Sequence, residues 1–334
     1  MSTVYSGTQY NDVSPRVGVF LVTKMLEHAR PITVLGNFGR KQPLPKNKGQ
    51  TLKYRRPVPL LVNPTALQEG VTPAPSTMEY DDVNATIAQY GGWIAITDVI
   101  MDTHEDPVLR DAAELIGEAA ANTKELLIWE AVRGGTQVLF SGVATQRSEV
   151  VATISEIELR QAQKELKKAH GKHITKMMSA SDKVGTESVA PAFLAFGNTS
   201  LEGDLRDLAG FVPREKYGSG AVINEYEIGK FEDIRFILTP VMEPWYGAGA
   251  AATTGVENNG VNADVHALVI LAQDAFATTE LAGMNSVAVT VTNPKMGTPG
   301  DELGQRGSVA WKMWFVATRL NETWMIRIEA AASA

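Results

Sequence analysis

His104, Glu105 and Asp106 stand in a row and offer the components of acid–base chemistry, a proton acceptor beside two carboxylates. Pro107 then opens a helical pattern, and carboxylates at a helix start ordinarily cap its free N–H groups and offset its dipole. On that reading the trio begins a helix. His170 and His173 are the nearest histidine pair, but Gly171 should end a helix between them and no acidic residue accompanies them, so solvated helix-end histidines are expected rather than a metal site. Asp81 to Ala85, DDVNA, has neither the spacing nor the glycine of a calcium loop and reads as solvated strand charge. Gly247-Ala248-Gly249 with Ala252 imitates a dinucleotide fingerprint, yet no amphipathic helix opens after it. The chain has no cysteine, which excludes thiolate ligands, cysteine nucleophiles and disulfides. No catalytic residue, metal or cofactor is expected.

The most unusual chemistry is electrostatic. Gly39 to Pro57, GRKQPLPKNKGQTLKYRRP, holds seven basic residues among nineteen, Arg40, Lys41, Lys46, Lys48, Lys53, Arg55 and Arg56, and no acidic one. The whole chain carries a formal charge of −7. Such an arm has two natural targets. Against DNA it would act by counterion release, losing about 0.9 log units of affinity per log of salt for each phosphate neutralised. Against an acidic protein surface each exposed pair contributes only ~0–1 kcal/mol, so affinity would need many copies of the contact. Only Phe38 and Tyr54 stand near the charges, too few aromatics for a base-stacking groove, and the prolines favour an extended path. A clasp between subunits is the favoured expectation.

The elements that must position these residues follow from periodicity. A short helix is expected over 16 to 29, with Val19, Val22, Met25, Leu26 and Ala29 on one side. Eight prolines from Pro31 to Pro75 enforce extended chain, and two strand-rich pieces suggest a long hairpin over 46 to 98. A helix is expected over 107 to 133, ended by Gly134-Gly135, with a stripe of Leu109, Ala112, Ala113, Ile116, Ala120, Thr123, Leu127 and Glu130. A strand at TQVLFSG precedes a second helix over 155 to 169, with a Ser155/Glu158 capping box and Leu159, Ala162, Leu166 and Ala169 on one face. Two strands joined at Gly229-Lys230 follow, then a long mobile loop over 245 to 262, and two long apolar strands around Asn321-Glu322 close the chain. Trp311 and Trp314 fall on opposite faces of one of these, so core packing covers one and a subunit contact the other. The order of elements is α+β.

Composition sets the outer bounds. At 334 residues, 44% of them hydrophobic and 21% charged, the chain has enough apolar content for a sizeable core. No window approaches the ~18 apolar residues of a membrane span, and the start lacks a signal-peptide pattern, so no membrane partner is expected and the cytosol is the natural site of synthesis.

Three long strings resemble tailed-bacteriophage major capsid proteins of the type found in the coliphage N-four. They are DVSPRVGVFLVTKMLEHARPITVLGNFGRKQPLPKNKGQTLKYRR, LQEGVTPAPSTMEYDDVNATIAQYGGWIAITD and DELGQRGSVAWKMWFVATRLNETWMIRIE. The resemblance implies a Hong Kong 97-like phage capsid fold with an N-terminal arm at 1–45 and an extended loop at 46–98. A peripheral domain would comprise 99–150 and 301–334 with spine helix 107–133, and an axial domain 151–300. It implies self-assembly into pentamers and hexamers of an icosahedral shell around double-stranded DNA, without sequence-specific binding, in the virion after assembly in the bacterial cytoplasm. It further implies a separate scaffolding protein and a portal as assembly partners, with a decoration protein as an optional one, and no cross-link motif matches. The seven basic residues would then anchor the arm and loop on neighbouring subunits. A related cage for a cargo protein is the first alternative, and a hydrolase built on acidic and histidine residues over 98 to 106 is the second.

Overall fold

The computed structural model describes residues 33–334 except 63, 65, 67–68, 71, 73, 104–107, 175–190, 218–221, 253, 283–286 and 295–300. The helix expected over 16 to 29, most of the expected arm at 1–45, and the His104-Glu105-Asp106 trio lie outside the described residues.

The chain enters through one 3₁₀ turn, Leu35–Asn37, and a short strand, Arg40–Lys41 (β1). Thr51–Pro57 (β2) and Tyr80–Thr86 (β3) pair antiparallel, and Ala88–Thr97 (β4) leads into Asp98–Thr103 (α1) and Val108–Arg133 (α2). Val138–Phe140 (β5), Glu156–Lys168 (α3), Phe193–Gly197 (β6), Glu202–Arg206 (α4) and Phe211–Pro213 (β7) follow. The remaining strands are Glu227–Phe231 (β8), Ile234–Leu238 (β9), His266–Leu271 (β10), Phe276–Glu280 (β11), Ala288–Thr292 (β12), Arg306–Arg319 (β13) and Met325–Ala330 (β14).

Three sheets result. One runs β1-β11-β13-β12, with β4 on the other edge of β13; a second runs β5-β14-β10-β6-β9-β8-β7; the third is the β2-β3 hairpin. The hairpin is shorter than the expected 46 to 98. Ile87 N–H donates to Gln50 O at its base, and from Ala88 the chain leaves β2 to pair with β13 through ten registered positions. The two closing strands do not pair with each other either, since β13 lies in the first sheet and β14 in the second. Sheet membership therefore crosses the 151–300 and 301–334 division, with β11 and β12 beside β13 and β14 beside β10.

Helix α2, about 39 Å long at 1.5 Å per residue, packs on β13. Its first half buries Ala112, Ile116 and Ala120 as the periodicity predicts. Beyond Ala120 the buried set becomes Glu125, Ile128, Trp129 and Val132, whereas Glu130 is exposed. The cause is a change of partner: the second half meets the entering chain, whose Val34 and Leu35 N–H groups reach Glu125, on a different side of the cylinder. On β13, Val309, Trp311, Met313 and Phe315 share the buried face and Trp314 sits half-buried on the other, the alternation a strand imposes.

Helix α3 carries the expected capping box, with Ser155 and Glu158 satisfying each other's backbone N–H groups, and it buries Leu159, Ala162 and Leu166. The joint between β8 and β9 lies at Glu232-Asp233 rather than Gly229-Lys230. Gly229 is a strand residue beneath Phe211, where a Cβ would meet Phe211 Cζ at 2.3 Å, so the glycine serves close packing and Glu232, at φ 50°, makes the turn. The segment expected as a mobile loop over 245 to 262 is stitched to the body: Trp245 and Val265 exchange backbone hydrogen bonds, and Gly249 N–H donates to Ala263 O.

Candidate functional site

The seven basic residues fall into two groups. Gly39, closed against Phe276, has no room for a Cβ, and this close approach brings Arg40 and Lys41 into β1 beside β11 in parallel register with Ala277 and Thr278. Lys46 and Lys48 lie in the turn that leads to β2, flanked by Asn47 and Gly49 at positive φ. Arg40, Lys41, Lys46 and Lys48 are exposed and form no ion pair among the described residues. They are the cations open to a partner.

Lys53, Arg55 and Arg56 are engaged inside the hairpin. The register sets Arg55 opposite Asp82 and Arg56 opposite Asp81. Arg55 holds Asp82 with two bonds, Nε to Oδ1 at 2.8 Å and Nη2 to Oδ2 at 3.2 Å, and Lys53 Nζ reaches Asp82 Oδ2 at 3.3 Å. Arg56 Nη2 meets Asp81 Oδ2 at 2.8 Å. Bidentate geometry of this kind fixes orientation as well as charge. The Asp82 carboxyl is accordingly held down to about 2, first by its hydrogen bond from Arg55 and then by that from Lys53. The Asp81-Asp82 pair, expected as solvated strand charge, is the in-chain counterpart of three of the seven basic residues. Its signal was available in the register of two neighbouring strand-rich segments.

Among the described residues one side-chain bond joins the hairpin to the body, Tyr54 Oη and Thr279 Oγ1 at 2.8 Å. Between hairpin and body lies a cleft of about 280 Å³, lined by Arg40, Tyr54, Arg55, Asp81, Asp274 and Trp324 among others. Beyond β2 the chain exposes a run of apolar side chains: Leu61 and Val62 are 96% and 90% exposed, with Val58, Leu60 and Met78 also uncovered. Four such groups within five residues are a surface built to be covered. This run falls within the hairpin expected over 46 to 98, and nothing in its strand-like composition signals that it stands clear of the core.

The other candidates resolve into structural roles. His170 ends α3 at φ 53°, and His173 lies against the Phe193 ring with centroids 4.3 Å apart. Asp98 accepts the Val99 N–H at the start of α1. Gly247 takes φ 61° and its N–H donates to Asp264 at 2.5 Å, with no helix following. No group of three or more histidine or acidic residues suited to a metal occurs among the described residues. Trp129 is fully buried and Trp324 donates Nε1 to Ala169 O at 3.0 Å, whereas Trp93 is 64% exposed on the open face of the first sheet.

A buried charge joint escaped the sequence reading altogether. Arg147 stacks on Trp245 at 3.6 Å from the ring centre and grips Glu329 through Nε at 2.8 Å and Nη2 at 2.7 Å. Arg327 donates to the same carboxylate at 2.8 Å and to Gly135 O at 2.9 Å, so it also closes the end of α2. Glu329 is fully buried, and a buried carboxylate is tolerated only when paired this completely. The joint ties α2, β14 and the segment around Trp245 together.

The sequence profile of a family described as phage capsid protein matches residues 79–328. The major capsid protein of Pseudomonas phage KPP21 is 25% identical over 267 residues, a match that spans 74% of this chain and 66% of that protein. In three dimensions the chain resembles the capsid of Ralstonia phage GP4 with a TM-score of 0.71 at 12% identity, covering 98% of this chain and 99% of the other. It resembles the head of Helicobacter pylori bacteriophage KHP40 with a TM-score of 0.65 at 9% identity, over 99% and 98% of the two chains. The fold is the α+β Hong Kong 97-like capsid fold.

Proposed function

The chain belongs to the phage capsid protein family, whose members are structural proteins of a shell and not enzymes, and from that premise we propose that it is the major capsid protein of a tailed phage. Many copies associate as pentamers and hexamers into an icosahedral shell around double-stranded DNA. The observation that carries this reading is the exposed apolar run at Val58 to Val62 beyond a charged hairpin that reaches the body through the Tyr54–Thr279 side-chain bond. None of the described residues of its own chain covers this segment, so another copy covers it, and closed symmetry repeats that contact many times.

Within this proposal the arm spans 1–45, the extended loop 46–98, the peripheral domain 99–150 and 301–334 with spine helix 107–133, and the axial domain 151–300, with strands from both domains meeting in the two large sheets. Arg40, Lys41, Lys46 and Lys48 meet acidic surface on adjacent subunits, and Lys53, Arg55 and Arg56 stiffen the loop that presents them. The finer kinship to the coliphage N-four type rests on the three quoted strings. A separate scaffolding protein and a portal take part in assembly in the host cytoplasm, and a decoration protein is a further candidate partner.

The test is expression of the chain together with the scaffolding protein of its phage, followed by electron microscopy of the purified product. Closed particles of megadalton size are the expected result. A product that stays a small oligomer at every protein concentration would overturn the proposal.

A further inference from the structure

At one end of the second sheet the chain forms a small clasp. Glu257 N–H donates to Ala332 O at 2.8 Å, Asp264 N–H donates to Glu257 O at 2.9 Å, and Val256 bridges to Ser333. Ser333 is tied in turn to α4, its N–H donating to Asp204 at 3.0 Å and its hydroxyl to the other oxygen of that carboxylate. The apolar content is small side chains and one valine: Val256, Ala263 and Ala331 with Ala252 at the margin, and Ala332 at the edge of the second-sheet core. A unit that buries so little apolar surface opens at far lower cost than the whole protein.

Against this clasp lies His266, the first residue of β10, 1% exposed, with both ring nitrogens buried and lacking a well-aligned hydrogen bond. Its Nε2 is 3.0 Å from Glu257 Oε2. The charged groups that face the imidazole are Glu257 from the clasp, Asp264 at the head of β10 and Asp204 from α4, and its cross-strand neighbour on β14 is Ala330.

We propose that residues 255–258 and 331–334 form an acid-released clasp whose proton sensor is His266. Burial is the dominant influence on the ring and lowers its proton affinity, and the three carboxylates offset this in part. Once the clasp opens, the imidazole reaches water and titrates near its ordinary value of about 6.5. The folded value is the lower one, so the open form takes the proton first. The closed form loses stability as pH falls through the ordinary imidazole range.

Amide hydrogen exchange read by mass spectrometry on the full chain, corrected for intrinsic rates, tests this between pH 7.5 and 5.5. Protection at Glu257 and Asp264 should fall by up to about tenfold at pH 5.5, the most that one proton bound only by the open form yields over one unit. Amides of β9 should not change. His266→Gln cannot take up the proton and should exchange equally slowly at both pH values. Glu257→Gln keeps the sensor but removes its nearest offsetting charge, so its acid response should be deeper than that of the wild type. Equal protection of the wild type at both pH values, protection that rises in acid, or a pH response that survives in His266→Gln would each overturn the proposal. If His266→Gln leaves the clasp open throughout, Glu257→Gln decides: a deeper acid response supports the sensor and none overturns it.

Discussion

The carboxylate of Glu125, buried midway along the second half of α2, accepts the backbone N–H of Leu35 at 2.6 Å and that of Val34 at 2.8 Å. Two residues ninety positions apart thus fasten the entering chain to the long helix, and the basic stretch begins a few residues beyond that fastening. Burial raises the Glu125 carboxyl above its ordinary value against the pull of the Leu35 and Val34 N–H groups.

Removing that carboxylate orphans two buried donors, each worth about 1–3 kcal/mol. Glu125→Ala should therefore lower stability by roughly 2 kcal/mol or more, read as a shift in the denaturant midpoint. For a carboxyl whose folded value is raised, the native state holds more protons just above the ordinary carboxylate range, so its contribution weakens as pH rises through that window. Glu125→Gln keeps an acceptor without the charge. The stability difference between wild type and Glu125→Gln should shift in favour of the glutamine as pH rises from 4.5 to 7.

The hairpin charges invite an experiment that separates two roles. Lys53→Glu, Arg55→Glu and Arg56→Glu together should block shell assembly, but they also set like charges against Asp81 and Asp82 within the hairpin. Adding Asp81→Lys and Asp82→Arg restores the cross-strand pairs with the sign inverted. Particle yield by sedimentation should recover with the five-fold variant if the three cations act within the loop, as their partners imply. Failure to recover would show that they also face a neighbouring subunit.

Asp82 is depressed to about 2 by Arg55 first and Lys53 second. A depressed carboxylate contributes above its ordinary value near 3.8 and loses that contribution only as pH falls through about 2. The Arg55–Asp82 pair should hence survive at pH 3, where most surface carboxylates are protonated. Carboxyl-carbon NMR of the unassembled chain should show Asp82 ionised at pH 3 in the wild type and titrating in the ordinary range after Arg55→Gln.

Gly229 leaves no space for a methyl group: a Cβ would lie 2.3 Å from Phe211 Cζ and 2.7 Å from the Val212 carbonyl oxygen. Gly229→Ala should cost about 1–3 kcal/mol, as overpacking in a close-packed core does, measured by thermal unfolding. Adding Phe211→Leu should restore part of that loss and no more, because the backbone carbonyl stays in place.

The amino-acid sequence determined what periodicity and local chemistry control. The Ser155/Glu158 capping box and the apolar face of α3, the span of α2 and the alternation along β13 all depend on neighbours within a few residues, so they are legible as spacing. The long strings shared with capsid proteins likewise carried the fold class. Tertiary structure alone decided which strands meet. Ala88 turned from the hairpin to β13, and β14 parted from β13 to join β10, since hydrogen-bonded pairing is indifferent to sequence distance. It also decided the charges: seven cations looked alike as a run, yet among the described residues only Lys53, Arg55 and Arg56, whose side chains reach Asp81 and Asp82, are neutralised, because an ion pair depends on a few ångströms in space rather than on position along the chain.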